Sequence, residues 1–181
     1  PESAAVRWDY VKLLEKIGTP ELLERARQIL EEILKLKGVR KAYYQSKLAG
    51  IYEQMGEYQT AIELCERAMR EEAEYLRPYL TLAELYLDSL RDGKKAAKTF
   101  KSAQSFLKKT DSLYEEYVND MTKISAFRGK WKEARSYADE SIGIIEKKYG
   151  SLKEYLSAKK YRNARLFAVG KLFYYSGRLT E

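Results

Sequence analysis

The side chains that most often carry catalysis or bind metals are few in this sequence and poorly spaced for either task. Histidine, the commonest general base and zinc ligand, is absent, and Cys65 is the single cysteine. The carboxylate pairs Glu71-Glu72 and Glu115-Glu116 are adjacent, so on a helix each pair points to different sides and cannot flank a substrate. No glycine-rich phosphate loop or metal-ligand spacing occurs. We therefore expect no catalytic residue, no metal site and no cofactor.

Positive charge is concentrated in two segments. The net charge is +7, and residues 91–109 and 153–178 each hold seven Lys or Arg and one acid. Such segments are typical of a solvated helix face, with an acidic protein partner as the next interpretation. Lysines repeated on one helical face also suit phosphates, so nucleic-acid binding stays a further alternative. The candidate basic patch consists of Lys94, Lys95, Lys98, Lys101, Lys159, Lys160, Arg162 and Arg165.

The elements that position these residues are predicted to be helices. Only three of 181 residues are proline, so few positions break a helical backbone. No segment reaches the roughly 20 apolar residues that cross a bilayer, and the single cysteine favours a reducing compartment. We therefore expect a cytoplasmic protein, with a composition like that of thermophiles. The start at Pro1 and the end just after Gly177 suggest a piece of a longer protein.

A helical hairpin pattern recurs along the chain. The first unit is Leu48-Ala49-x-x-Tyr52-x-x-x-Gly56-x-Tyr58-x-x-Ala61-x-x-x-Cys65-x-x-Ala68. The second unit is Tyr79-x-x-Leu82-Ala83-x-x-Tyr86 followed by Ala96-x-x-x-Phe100-x-x-Ala103. The third pairs a degenerate first helix, with Met121, Thr122 and Ser125, with Gly129-x-Trp131-x-x-Ala134-x-x-x-Ala138-x-x-Ser141. A fourth begins with Leu166-x-x-Val169-Gly170-x-x-Phe173.

These residues resemble the tetratricopeptide repeat family, in its long-helix variant. The resemblance implies an all-α, right-handed superhelical array of antiparallel helix pairs, with about nine helices. Residues 1–38 would form an amino-terminal helical pair, either a divergent repeat or a cap. Residues 39–181 would hold repeats at about 40–75, 76–110 and 111–150 and an incomplete one at 151–181. Cys65 stands where the family usually has a large Phe, and we expect it to be a buried structural thiol.

The family resemblance also predicts a binding surface. First helices of successive repeats line a concave face that holds a peptide or an amphipathic helix of a partner protein, so we expect a non-enzymatic scaffold. A regulatory or sensor segment of a larger signalling ATPase or transcription regulator is the alternative, and a homo-oligomer stays open. The candidate partner-binding residues are Tyr43, Lys47, Gln54, Leu80, Glu84, Leu87, Asp88, Asn119, Lys123, Phe127, Lys171 and Tyr174.

Overall fold

A computed structural model of the chain describes residues 3–108 and 113–157, together with Lys171 and Tyr174. These described residues form nine α-helices and one π-helical segment, without a strand. In chain order they are α1 (Ala4–Ile17), α2 (Pro20–Lys35), α3 (Lys41–Gln54), α4 (Tyr58–Glu71), α5 (Arg77–Glu84), the π-helical segment (Leu85–Ser89), α6 (Gly93–Ala103), α7 (Tyr114–Phe127), α8 (Trp131–Tyr149) and α9 (Leu152–Ser157).

Each helix packs on the next one along the chain, and short turns make the neighbours antiparallel. The predicted all-α array of antiparallel pairs is thereby confirmed. Most of the fourth predicted repeat, residues 151–181, lies outside the described residues. Among the helices that are described, none combines the length and the apolar character needed to cross a bilayer.

The recurring small and apolar positions of the second helices form the core of the array. Three positions recur in α4, α6 and α8, and all nine side chains are fully buried: Ala61, Ala96 and Ala134; Cys65, Phe100 and Ala138; Ala68, Ala103 and Ser141. Small side chains at two of the three positions let neighbouring helices approach closely. In α2 the related triplet of Ala26, Leu30 and Ile33 is also fully buried. One packing rule therefore extends from α2 to α8.

Glycines make the tight turns in the first and third units. Gly56 and Gly129 have φ angles of 81° and 71°, which lie in the left-handed region that glycine adopts without strain. In both turns the next N–H donates to a carbonyl five residues back at 2.8 Å, and the N–H of the glycine donates to one three residues back at 2.9 Å. This paired bonding closes the carboxyl end of a helix. The two glycines of the repeat pattern therefore end α3 and α7.

The turn of the second unit is built differently. Tyr86 is separated from the left-handed residue, Arg91 with φ 54°, by one residue more than Tyr52 is from Gly56. The π-helical segment absorbs this extra residue, because a π turn accommodates one residue more than an α turn. The left-handed conformation therefore falls on an arginine, for which it is strained.

Candidate functional site

The first helices of successive units lie side by side on one side of the array. We call the surface made by α1, α3, α5 with the π-helical segment, and α7 the first-helix face. Side-chain contacts join each of these elements to the next: Gln54 to Glu15 at 3.2 Å, Ser89 to Glu53 at 2.5 Å, and Arg77 to Glu116 at 2.5 Å. Because these contacts bridge different units, they fix the relative positions of the side chains along the face.

An aromatic cavity of about 390 Å³ opens at one end of the first-helix face. Three large aromatic side chains line it while staying open to solvent: Phe127 is 44% exposed, Trp131 57% and Tyr174 57%. Leu87 and Ala126 form its apolar floor. The polar side chains at its edge are Asp88, Arg91, Lys123 and Lys171. A concave surface that combines exposed aromatic rings with charged side chains is typical of protein-binding hot spots.

Gly93 makes room for Phe127 at this cavity. It occupies the repeat position that holds Tyr58 in the first unit and Trp131 in the third. A Cβ atom on Gly93 would lie 2.7 Å from Cδ1 of Phe127, which is closer than carbon atoms pack. Because Gly93 has no side chain, the ring of Phe127 from the next unit can lie against the first turn of α6.

A charged cavity of about 220 Å³ lies farther along the same face, between α1, α3 and α5. Its wall carries both signs, with Glu15 and Glu84 against Lys47 and Arg77. Burial lowers the pKa of Lys47, and the positive charge of Arg77 acts in the same direction. The aromatic cavity therefore presents large rings, whereas the charged cavity presents side chains of both signs.

Three carboxylates converge beside the charged cavity. Glu84, Glu116 and Asp120 each place one oxygen within 4.8 Å of the other two. Arg77 donates to both oxygens of Glu116, at 2.5 and 3.0 Å, and Lys123 lies 2.7 Å from Asp120. A divalent cation would have to compete with these two basic side chains, so we assign no metal to the cluster.

Within this cluster Glu84 is the carboxylate that makes no hydrogen bond or ion pair with another described residue. Burial, reinforced by the negative charges of Asp120 and Glu116, raises the pKa of Glu84 to about 7. Asp120 is buried as well, its Oδ2 makes no hydrogen bond, and burial raises its pKa. At neutral pH about half of the molecules therefore carry a proton on Glu84.

Comparison with known proteins agrees with the repeat pattern. The family model described as tetratricopeptide repeat matches residues 52–115, which run from the end of α3 into α7. Residues 52–115 therefore carry the tetratricopeptide repeat pattern. A comparison with curated proteins found no significant match. Proteins with tetratricopeptide-like repeats are typically scaffolds for protein–protein interaction and are generally not enzymes.

Solved structures with tetratricopeptide-like repeats superpose along nearly the whole chain. One is a Podosopora anserina protein with nearly identical repeats, described as a kinesin light chain; it is 16% identical, with a TM-score of 0.64 over 99% of this chain and 91% of that one. MamA is 15% identical, with a TM-score of 0.57 over 98% and 93%. BtubC (BKLC) from P. vanneervenii is 14% identical, with a TM-score of 0.62 over 98% and 84%. At these identities the likeness establishes the fold alone.

The structure gathers most of the predicted partner-binding residues in the two cavities of the repeat array. The aromatic cavity contains Leu87, Asp88, Lys123, Phe127, Lys171 and Tyr174, and the charged cavity contains Lys47, Gln54 and Glu84. Three predicted residues line neither one. Tyr43 packs edge-on against Trp8 at 5.9 Å, and Asn119 accepts a hydrogen bond from Ser141. The prediction that Leu80 contacts a partner is corrected by the structure, because the Leu80 side chain is fully buried in the core and offers no surface to a partner.

Several residues that shape the two cavities were missed by sequence reasoning. Trp131 was recognised as a repeat position but not as a binding residue, although a large aromatic at the exposed first turn of α8 was a usable signal. Arg77 lines the charged cavity, and Asp120 belongs to the carboxylate cluster beside it. Neither gives such a signal, because their importance depends on α5 and α7 lying together. Sequence periodicity shows which residues share one face of a helix, but it does not show which neighbouring helix that face contacts.

The basic patch is described in part. Lys94, Lys95, Lys98 and Lys101 are exposed on α6, a second helix. Lys159, Lys160, Arg162 and Arg165 lie outside the described residues.

Cys65 is fully buried, and burial raises the pKa of its thiol. The expectation of a buried structural thiol is confirmed.

The left-handed backbone of Arg91 is expected to lower the stability of the fold, while its side chain lines the aromatic cavity. We expect Arg91→Gly to raise the free energy of unfolding by about 1 kcal/mol, since glycine removes the cost of a left-handed residue. Arg91→Ala keeps that strain and loses the guanidinium, which lies 5.2 Å from the ring centre of Phe127, so it should be less stable than Arg91→Gly. Urea denaturation of both variants measures this order, and the reverse order would show that the turn is unstrained.

Proposed function

We propose that the chain is a protein-interaction scaffold whose first-helix face binds an amphipathic helix or peptide of a partner protein. The observation that carries this proposal is the aromatic cavity, where Phe127, Trp131 and Tyr174 stay exposed together. Large aromatic side chains grouped on a soluble surface are a hallmark of interaction sites, because they gain most from burial when a partner covers them.

The polar part of the face favours an amphipathic guest. Lys123 and Asp88 stand at the edge of the aromatic cavity, and Lys47 and Glu84 line the charged cavity farther along the same face. A guest helix would place its apolar side chains against the rings and its polar side chains against both signs of charge. Such pairing contributes more to orientation and specificity than to affinity.

The proposal predicts that Trp131 is a binding hot spot. A random peptide library displayed on phage is selected on the immobilised chain, and one selected peptide is labelled for fluorescence anisotropy. We expect the selected peptides to carry apolar residues at helical spacing and Trp131→Ala to weaken binding about thirtyfold, which corresponds to about 2 kcal/mol. Trp131 is the exposed first residue of α8, so folding should be unaffected.

Tyr58 provides the matched control. It occupies the same repeat position at the start of α4 and is also exposed, but it lines neither cavity. Tyr58→Ala should therefore bind the selected peptide as the unchanged chain does. Equal weakening by both substitutions, or selection of peptides that ignore Trp131→Ala, would overturn the proposal.

A further inference from the structure

Helix α1 is apolar on two different sides. Val11 and Leu14 face the core and are buried. A second set points away from the array and is half exposed: Val6 52%, Tyr10 48%, Leu13 55% and Ile17 58%. We call these four residues the α1 stripe. Their spacing of four, three and four residues keeps them on one face along the whole helix.

This pattern is typical of a helix that packs against another helix. Apolar residues alternating at three and four residues form the seam of paired helices. No described helix covers the α1 stripe, and apolar side chains grouped in this way on a surface are typical of a site that a partner covers.

The charges beside the α1 stripe indicate what covers it. Asp9 and Lys16 are exposed and lie seven residues apart along one edge of the stripe, two turns of helix from each other. Asp9 also forms an exposed ion pair with Lys12 of the same helix at 2.5 Å. When two copies of α1 run antiparallel about a two-fold axis, Asp9 of each copy meets Lys16 of the other. In a parallel arrangement this edge would face the opposite edge of the other copy, so neither pair would form. The edge is therefore self-complementary in the antiparallel arrangement.

We propose that α1 pairs antiparallel with α1 of a second copy of this chain. In this arrangement Tyr10 packs against Leu13 of the partner subunit, and Val6 packs against Ile17 of the partner subunit. Two Asp9–Lys16 pairs lie along one side of the seam. A two-fold interface uses the same patch on both copies, as a self-complementary edge requires. With four apolar residues from each copy the interface is small, so association is weak and depends on concentration.

The test measures mass against concentration by sedimentation equilibrium. We expect the unchanged chain to pass from monomer to dimer mass as concentration rises, and Leu13→Glu to raise the dissociation constant at least a hundredfold. Because Leu13 is exposed, Leu13→Glu should keep the circular dichroism spectrum and unfolding midpoint of the dilute monomer. Tyr58→Glu, an equally drastic change at an exposed site on α4, should leave dimerisation unchanged.

A charge exchange tests the arrangement itself. Asp9→Lys and Lys16→Glu should each weaken self-association, because each creates two like-charge contacts in the homodimer. Mixing the two variants should restore a dimer, since both flanking pairs in the mixed dimer are again of opposite sign. A chain that stays monomeric at all concentrations would overturn the proposal, and it would assign the α1 stripe to another covering segment. Failure of the mixed variants to associate would overturn the antiparallel pairing.

Discussion

Replacing Phe100 with alanine is expected to lower the free energy of unfolding by about 3–5 kcal/mol, the range for deletion of a buried ring. Phe100 is fully buried in the core between α5, α6 and α7, and its ring meets that of Tyr117 edge-on at 5.2 Å. Urea denaturation followed by circular dichroism measures the change.

The matched control is Cys65, which has the same repeat position in the first unit and is also fully buried. Cys65→Ala removes a single sulfur atom and should cost only about 1 kcal/mol. A loss for Phe100→Ala as small as that for Cys65→Ala would mean that the second unit contributes little to the stability of the array. The quantity to compare is therefore the difference in the free energy of unfolding between the two variants, because both substitutions lie at the same repeat position.

The core of the array was predictable because it depends on contacts within one repeat. The positions of Ala61, Cys65 and Ala68 recur in α6 and α8 with unchanged spacing, and each copy is buried. Helical periodicity fixes which side of a helix these residues share, and the repeat fixes which helix they meet. Gly56 and Gly129 were predictable for a similar reason, since glycine suits a left-handed helix end.

The second turn was not predictable from the repeat pattern. One extra residue between Tyr86 and the left-handed position changes the register of the turn, and two solutions exist: a longer loop or a π turn. The structure has the π turn, which puts Arg91 rather than Gly93 in the left-handed conformation. The contact of Gly93 with Phe127 joins two units, so neither unit alone reveals it.

The degree of burial of each site residue could not be predicted from the sequence either. Leu80 and Glu84 lie one turn apart on α5 and belong to the same predicted face, but Leu80 is buried and Glu84 lines the charged cavity. Which of them reaches the surface depends on how closely α7 approaches α5. Arg77 and Glu116 set that approach by a bidentate ion pair, a contact between residues far apart in sequence.

The stability of the array is expected to fall as the pH rises, because of Glu84. Its folded pKa of about 7 lies above the ordinary value of 4.5, so the folded chain binds this proton more tightly than the unfolded chain. Between those two values stability is therefore lost as the pH increases, and above about 7 the whole cost remains. The raised pKa corresponds to about 3 kcal/mol, or about 2 kcal/mol after allowance for partial solvent screening.

The substitution Glu84→Gln isolates this effect, because glutamine keeps the shape of the side chain and carries no charge at any pH. We expect it to raise the free energy of unfolding by about 2 kcal/mol above neutral pH. Below the ordinary pKa of glutamate both chains are neutral at this position, so the difference should vanish. The charged groups around Glu84, which both chains share, are Lys47, Arg77, Asp88, Glu116, Asp120 and Lys123.

Denaturation by urea at several pH values measures the difference between the two chains, which cancels the groups that they share. Glu146→Gln is the control, since Glu146 is exposed on α8, and its effect should stay within about 0.5 kcal/mol at every pH. An equal effect of Glu84→Gln at acid and alkaline pH would show that the carboxylate is not held neutral by its surroundings. A gain confined to high pH means that the cavity beside α5 keeps an unpaired carboxylate at a cost to folding, which a cationic side chain of a bound partner would relieve.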